Sequence, residues 1–95
     1  MAVAVIMDFE GGTLEQYDRV IEQVTDENGG PAGDGGIYHW VAATDTGIRV
    51  TDLWETKEQF EAFAATRIGP ATVEAGVPSP PVVTFYEVHN HFGAE

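Results

Sequence analysis

Residues 36–55, G-I-Y-H-W-V-A-A-T-D-T-G-I-R-V-T-D-L-W-E, decide how the rest of this chain can fold. Ile, Tyr, Trp and Val crowd two runs, and the residues between them, Thr44 to Gly47, include the Asp and Gly typical of a tight connection. This pattern predicts a β-hairpin whose turn lies at residues 44–47. The turn also fixes the strand register, because every cross-strand pair is counted outward from it.

The predicted register brings a histidine opposite an aspartate. Counting outward from the turn pairs Ala43 with Ile48, Val41 with Val50, His39 with Asp52, and Ile37 with Trp54. Since side chains alternate between the two faces of a strand, all of these residues share one face. The opposite face carries Tyr38, Trp40, Ala42, Arg49, Thr51 and Leu53. One otherwise apolar face is therefore expected to hold His39 and Asp52 side by side.

The segment before the hairpin predicts a strand, a helix and a loop. Residues 2–9, A-V-A-V-I-M-D-F, are apolar and are followed by Gly11-Gly12, a pattern typical of a buried central strand. Thr13 and Gln16 have the spacing of a capping box, so a helix is expected to begin there. The apolar stripe of this helix is Leu14, Tyr17, Val20, Ile21 and Val24. Residues 28–36 contain five glycines and a proline, which predicts a loop.

The segment after the hairpin predicts a second helix and a last strand. Thr56 and Gln59 repeat the capping-box spacing. The apolar stripe that follows is Phe60, Phe63, Ala64 and Ile68. Gly69-Pro70 is expected to break or kink this helix, with Ala71 to Ala75 able to add a turn or two before Gly76. Residues 82–92, V-V-T-F-Y-E-V-H-N-H-F, predict the final strand.

The resulting order, β-α-β-β-α-β, predicts an α+β fold of the ferredoxin-like type, with a four-stranded antiparallel sheet and both helices on one face. A chain of 95 residues is expected to form a single domain, here residues 1–95. The face without helices would expose Tyr38, Trp40 and Leu53, which are too apolar to stay in water. A second copy of the chain is therefore expected to cover it, giving a homodimer that packs sheet against sheet.

Charge and composition exclude several classes of partner. The chain has 16 Asp plus Glu against 4 Lys plus Arg, and a net charge of −12. This acidity disfavours nucleic acid and anionic membranes, because both are bound by cationic side chains. No apolar run approaches the roughly 18 residues of a membrane span, and the N-terminus lacks the basic region of a signal peptide. There is no cysteine to form a disulfide, and a cytoplasmic location is expected.

Five motifs, spread over nearly the whole chain, resemble one family. They are T-L-E-Q-Y-D at residues 13–18, I-Y-H-W at 37–40, R-V-T-D-L-W-E-T-K-E-Q-F at 49–60, I-G-P at 68–70 and E-V-H-N at 87–90. The chain resembles the dimeric α/β-barrel superfamily that includes antibiotic-biosynthesis monooxygenase-like domains, and it is nearest to a group of short bacterial members. The resemblance implies a ferredoxin-like domain that pairs into a dimeric α/β barrel.

The resemblance indicates the fold far better than it indicates an activity. Related barrels include cofactor-free quinone-forming oxygenases, polyketide cyclases, lactone isomerases and haem-degrading enzymes, so the fold alone does not choose a reaction. A small aromatic or polyketide-like ligand and the absence of a cofactor are the expectations for this chain. In better-known monooxygenase-like members a histidine often occurs in the second helix, where this chain has Phe63. That difference weakens any direct transfer of their chemistry.

His39 and Asp52 are the leading catalytic candidates. A carboxylate opposite an imidazole orients the ring, fixes its tautomer and raises its basicity, as a general base requires. Such a base could take a proton from a planar acidic carbon or a phenol, for oxidation, cyclisation or isomerisation without a cofactor. The alternative is a hydrogen-bonded pair that only specifies strand register, in a dimer that binds a small ligand without catalysis or is purely structural.

Four aromatic residues are candidate walls for a ligand, namely Trp54, Tyr17, Phe63 and Tyr86. Trp54 shares the face of His39 and Asp52 and could stack on a flat ligand, but a tryptophan so placed is more often part of the core. Tyr86 could offer its phenol to the pocket or could pack across strands.

The last predicted strand adds two histidines at alternate positions, His89 and His91. His89 is a candidate second catalytic residue, acting as an acid to His39 as the base, with a structural role as the alternative. Together with Glu87 the two histidines could bind Zn²⁺ or Fe²⁺. Neighbours on one strand face are about 7 Å apart along the chain, which makes a poor ligand set, and no metal is expected.

Overall fold

Antiparallel strand pairing builds the sheet of this protein in the computed structural model, which describes residues 2–28 and 35–92. The elements of the described residues are β1 (Val3–Glu10), α1 (Leu14–Asn28), β2 (Gly36–Ala43), β3 (Gly47–Trp54), α2 (Lys57–Phe63), a π-helical turn (Ala64–Ile68), α3 (Gly69–Ala75) and β4 (Val82–Glu87). The strand order is β2-β3-β1-β4, so the first strand is central as predicted. This is the ferredoxin-like fold predicted from the sequence. Most of the predicted glycine-rich loop, residues 29–34, lies outside the described residues.

The first predicted capping box is complete, and the second is half formed, because the Gln59 side chain accepts from the Thr56 hydroxyl and not from the Thr56 amide. Thr13 Oγ1 accepts a hydrogen bond from the Gln16 amide at 3.1 Å, and Gln16 Oε1 accepts one from the Thr13 amide at 3.0 Å. At the start of α2, Thr56 Oγ1 accepts from the Gln59 amide at 3.1 Å. These side chains satisfy amides that the first helical turn leaves without a backbone partner, which is why the helices begin where they do.

The helices cover one face of the sheet, and the hydrophobic core lies between the two layers. The buried residues of the larger cluster are Val5, Met7, Phe9, Ile48, Val50, Trp54 and Phe60. A second cluster, where α1 meets α3, contains Val20, Val24, Ala71 and Ala75. Fully burying a large aliphatic or aromatic side chain contributes roughly 1.5–3 kcal/mol. Apolar burial is therefore what holds the helices on the sheet.

The second helix does not break at Gly69-Pro70. Gly69 keeps helical dihedral angles, φ −55° and ψ −57°, and its amide donates to the carbonyl of Ala64, five residues earlier. Pro70 follows at the first positions of α3, where a missing amide hydrogen costs little. The helical path therefore continues through a π-helical turn to Ala75, and it ends at Gly76, whose φ of +84° is left-handed.

Two predicted strand ends are wrong. Gly36, and not Ile37, pairs with Trp54, because the register shifts between Gly36 and Tyr38 and leaves Ile37 as an extra, 41% exposed residue. The last strand ends at Glu87, which pairs with Val3, the first residue of β1. Since β1 offers no further strand partner, residues 88–92 leave the sheet after one more hydrogen bond, from Val88 to Ala2.

The sheet face away from the helices is rich in aromatic side chains. One row across the four strands consists of Tyr38, Leu53, Ala4 and Tyr86, and the next consists of Trp40, Thr51, Ile6 and Thr84. Tyr38, Trp40 and Tyr86 are each about half exposed, at 52%, 50% and 59%. We call these two rows the outer sheet face. None of the helices within residues 2–28 and 35–92 is long and apolar enough to cross a membrane.

Candidate functional site

A cavity of about 50 Å³ lies between the sheet and the helices. Its lining comes from all layers of the fold and includes Met7, Phe9, Tyr17, Val20, Ile21, Val24, His39, Ile48, Val50, Asp52, Phe63, Ile68, Thr72 and Val77. Most of these side chains are apolar, and the ionisable ones are Tyr17, His39 and Asp52. On a comparable measure one water needs roughly 10–15 Å³. The cavity is therefore larger than a single water requires, with its ionisable groups gathered at the His39 position.

Four side chains at that position form a continuous chain of hydrogen bonds. Trp54 Nε1 donates to Asp52 Oδ2 at 3.0 Å, and His39 Nδ1 lies 2.6 Å from Asp52 Oδ1. On the other side of the imidazole, Nε2 of His39 is hydrogen-bonded to the hydroxyl of Tyr17. The two rings of that pair are stacked, with centroids 5.8 Å apart and planes 9° from parallel. Asp52 is only 6% exposed and His39 is 21% exposed.

The direction of each hydrogen bond follows from the chemistry of the groups. The indole N–H of Trp54 can only donate a hydrogen bond, and an ionised carboxylate can only accept one. Asp52 therefore accepts a second hydrogen bond from the N–H at Nδ1 of His39. A neutral His39 then carries its hydrogen on Nδ1 and presents a lone pair at Nε2. That lone pair accepts the hydroxyl hydrogen of Tyr17. Hydrogen-bond donors thus meet both oxygens of Asp52, and no buried side-chain nitrogen or oxygen of the described residues lacks a partner.

The hydroxyl of Tyr17 resists ionisation. Burial, together with the nearby negative charges of Asp52 and Asp18, raises the pKa of Tyr17 from 10.0 to about 12. A phenolate in this place would lose water and face a carboxylate, so the neutral phenol is strongly favoured. Tyr17 therefore acts in the resting site as a neutral hydrogen-bond donor.

The structure brings Tyr17 and Phe63 to the cavity, but it gives Trp54 another place. Trp54 is 1% exposed and packs on Phe60 and Phe63, with ring centroids 5.8 and 5.3 Å away. It supports the Phe63 wall from behind and does not line the cavity itself. The core alternative for Trp54 is the one observed, together with a hydrogen bond to Asp52 that the sequence analysis did not foresee.

Tyr86 and His89 are not brought together with His39. Tyr86 pairs with Ala4 on the outer sheet face, whereas the cavity lies on the helix side. His89 follows the end of β4, is exposed, and is not among the residues that line the cavity. The reason is the short partner strand, which stops before it can hold His89 in the sheet. This geometry supports neither a catalytic role for His89 nor a ligand-binding role for Tyr86.

Sequence analysis missed the part of the wall that α3 supplies. Thr72, in α3, lines the cavity together with Ile68, the last residue of the π-helical turn, and Val77 lines it just beyond the helix. The spacing Ala64, Ile68, Thr72 continues the apolar stripe in steps of four, so the stripe could have been extended into the turns predicted at residues 71–75. The hydroxyl of Thr72 donates to the carbonyl of Gly69 at 2.9 Å, so its own lone pairs remain as acceptors.

Metal binding finds no support in this geometry. Among residues 2–28 and 35–92 no group of three or more His, Asp or Glu side chains could hold an ion. The expectation that the protein needs no metal stays a prediction.

The buried carboxylate should be more sensitive to substitution than an exposed one. In Asp52→Asn one oxygen becomes an NH₂ group that faces an N–H donor, so one hydrogen bond is lost and two donors oppose each other. We expect the free energy of unfolding, measured by urea denaturation, to fall by about 1–3 kcal/mol. Asp45→Asn is the matched control, because Asp45 is an exposed aspartate in the hairpin turn; its loss should stay within about 0.5 kcal/mol. Equal losses in both variants would contradict the proposed burial effect.

The raised pKa of Tyr17 predicts how stability depends on alkaline pH. The folded state holds the phenolic proton up to about pH 12, while the unfolded state releases it near 10. The stabilisation from this proton is therefore complete below pH 10 and is lost as the pH rises through 12. Ultraviolet absorbance should show a tyrosinate step near pH 12 that is missing in Tyr17→Phe and kept in Tyr38→Phe. A Tyr17→Phe titration identical to that of the wild type would refute the assignment.

Comparison with known proteins identifies the fold but no close sequence relative. No protein-family model matches the chain, and no curated protein sequence matches it either. Among solved structures, a Deinococcus radiodurans protein assigned as an antibiotic biosynthesis monooxygenase superimposes with a TM-score of 0.61 at 14% identity, covering 100% of this chain and 99% of that one. The second is a monooxygenase from the gene ActVA-Orf6 of Streptomyces coelicolor, solved in complex with nanaomycin D. It has a TM-score of 0.56 at 18% identity, and 99% of this chain and 92% of that chain are covered.

These comparisons confirm the resemblance at the level of fold. Identities of 14% and 18% are too low to carry residue roles or activities from one protein to another. The coverage is nearly complete on both sides, so the likeness extends over the whole domain. This chain therefore has the ferredoxin-like fold of the antibiotic-biosynthesis monooxygenase domain proteins.

Proposed function

We propose that the cavity binds a small, planar, neutral molecule with an acidic O–H or C–H group, and that His39, held by Asp52, accepts its proton. The observation that carries this proposal is the 2.6 Å hydrogen bond between His39 and Asp52 at the polar end of an otherwise apolar cavity. A phenol, a hydroxyquinone or a 1,3-dicarbonyl compound has the required shape and acidity. The Streptomyces coelicolor protein of the same fold binds nanaomycin D, which supports a ligand of the aromatic or polyketide-like class.

The surroundings of His39 favour proton transfer over binding alone. Asp52 fixes the ring orientation and leaves Nε2 as the basic nitrogen on the cavity side. When His39 takes a proton, the imidazolium forms beside a carboxylate that is already in place, so little reorganisation is needed. The resulting ligand anion is the common intermediate of oxygenation, cyclisation and isomerisation. An oxygenation would also require dioxygen as the oxidant, whereas the other two reactions need no further reactant.

A non-catalytic binding protein is the second candidate, and one observation favours it. Every buried polar side-chain atom of the described residues has a hydrogen-bond partner, and Nε2 of His39 is occupied by Tyr17. A site whose histidine nitrogens are both already hydrogen-bonded could hold a ligand mainly through apolar contacts. In that case the Trp54, Asp52, His39 and Tyr17 chain would serve to specify the packing of α1 on the sheet.

Binding and turnover measured together separate the two candidates. We expect some members of a panel of neutral phenols, hydroxyquinones and 1,3-dicarbonyls to bind, as seen by ligand-observed NMR, and to be consumed in air, as seen by chromatography. His39→Gln should keep binding but lose turnover by roughly 10²–10⁴-fold, the usual contribution of a general base. His91→Gln, an exposed histidine beyond β4, is the matched control and should behave as the wild type. Binding without consumption would favour the non-catalytic candidate, and no binding at all would count against both.

A homodimer is part of the same proposal. The outer sheet face presents Tyr38, Trp40 and Tyr86, each about half exposed, next to the apolar residues Leu53 and Ala4. Contiguous exposed apolar surface of this kind is uncommon on a monomer, and a second copy of the chain would remove it from water. Arg49 and Asp8 lie on the same face and already neutralise each other, so packing the two sheets together would not bury an unpaired charge.

Light scattering tests the dimer. We expect a mass of two chains at micromolar concentration, and we expect Trp40→Glu to dissociate the dimer or unfold the protein by placing a charge in a dry interface. Val73→Glu is the matched control, because Val73 is an apolar residue that is 78% exposed on α3, on the helix side of the sheet. That variant should remain dimeric. A monomeric wild type would contradict the proposal.

A further inference from the structure

Tyr17 stands between the cavity and His39. It lines the cavity, and its hydroxyl is hydrogen-bonded to Nε2 of His39. The planes of the two rings lie 9° from parallel, and it is the hydroxyl of Tyr17 that meets the imidazole nitrogen. The nitrogen that a general base must offer is thus already occupied in the resting site. A ligand in the cavity must therefore either displace the Tyr17 hydroxyl from His39 or transfer its proton to His39 by way of that hydroxyl.

The groups that contact His39 determine which partner donates in each hydrogen bond of the site. Trp54 and His39 both donate to Asp52, so the neutral imidazole can only accept at Nε2, and Tyr17 must donate there. The phenol oxygen of Tyr17 then has its lone pairs available to a hydrogen-bond donor in the cavity. The polar atom that the site offers to a ligand is an acceptor oxygen on Tyr17, which suits an incoming O–H group.

The charges around the cavity select a neutral ligand. Among the described residues that line it, none is a lysine or an arginine. The negative charges of Asp52 and Asp18 both act on Tyr17. A carboxylate or phosphate that arrived already charged would meet negative charge and no cation. A neutral acid avoids this cost, because its anion appears only together with a matching cation on His39.

Resting on the proposed function, we propose that Tyr17 is a catalytic residue that relays a proton from a bound phenol or enol to His39. The O–H bond of the ligand and the O–H bond of Tyr17 break, and new bonds form from the ligand's proton to the Tyr17 oxygen and from the Tyr17 proton to His39 Nε2. Each bonding electron pair stays on its oxygen. The ligand becomes a phenolate or enolate, Tyr17 remains a neutral phenol, His39 becomes an imidazolium beside Asp52, and no proton is exchanged with solvent.

The raised pKa of Tyr17 agrees with a relay and argues against a standing tyrosinate. With a pKa of about 12, Tyr17 is protonated at neutral pH and cannot wait as an anionic base. It can pass on a proton only if it receives another in the same step. Tyr17 can pass its proton to His39 along their hydrogen bond, and the O–H group of the ligand supplies the proton that replaces it.

The probe for this inference is para-nitrophenol, whose phenolate is yellow and whose single ring suits a small cavity. The pH at which the bound probe ionises is measured by absorbance with protein in excess. In the wild type we expect the pKa of the bound probe to lie below that of the free probe, because the phenolate forms opposite an imidazolium. In Tyr17→Phe the probe should still bind, but its pKa should be at or above the free value, since the apolar cavity alone disfavours an anion. We expect the pKa of the bound probe to differ between the two proteins by about one unit or more, a tenfold change in its ionisation constant.

Two further variants keep the test decisive. Tyr38→Phe makes the same chemical change on the outer sheet face and should match the wild type. His39→Gln removes the proton acceptor but keeps Tyr17, so the bound probe should not have a lowered pKa in this variant. This variant is the one to use if circular dichroism shows that Tyr17→Phe does not fold. If Tyr17→Phe lowers the pKa as much as the wild type does, His39 takes the proton directly and only the relay is overturned. If no protein binds any phenol, the proposed function falls with it.

Discussion

A carboxylate buried beneath a helical layer must have hydrogen-bond donors, and the surroundings of Asp52 are arranged by that requirement. Asp52 is 6% exposed and lies in β3, next to the central strand, where water cannot solvate it. An unpartnered charge there would cost several kcal/mol. The indole of Trp54, two residues along the same strand, and the imidazole of His39, opposite on β2, meet this need. Their positions fix the register of the hairpin and the tautomer of the histidine together.

The fold then determines what the far side of that histidine meets. In the ferredoxin-like topology α1 crosses over the sheet, and its inward stripe includes Tyr17, whose hydroxyl reaches His39 Nε2. Three consecutive elements also line the cavity: α2 contributes Phe63, the π-helical turn contributes Ile68, and α3 contributes Thr72. π-helical turns occur frequently beside functional sites, because they shift the facing of later side chains. Here the turn lies between Phe63 and Thr72, and residues on both sides of it line the same cavity.

The charge distribution gives the site a consistent chemistry. The protein carries a net charge of −12, and no lysine or arginine is among the described residues that line the cavity, so the site is suited to ligands that enter without charge. Within the site, the Tyr17 oxygen can accept a hydrogen bond from a ligand, the His39 nitrogen accepts one from Tyr17, and Asp52 accepts one from His39. A weakly acidic planar molecule complements this arrangement, and the apolar walls provide the contact area. The same arrangement explains why neither a metal nor a cationic cofactor site is needed to describe the proposed proton transfer.

The sequence by itself determined the order of the elements, the threonine caps of both helices, and the pairing of His39 with Asp52, because these depend on local spacing and on counting from one turn. It could not determine that Trp54 donates to Asp52, that β4 stops at Glu87, or that a π-helical turn carries the helix past Pro70 without a break. Each of these depends on a neighbour distant in the chain, such as the length of β1 or the packing of α3. The meeting of Tyr17 with His39 is of the same kind. It joins residues 22 positions apart, and only the packing of α1 across the sheet brings the phenol to the imidazole.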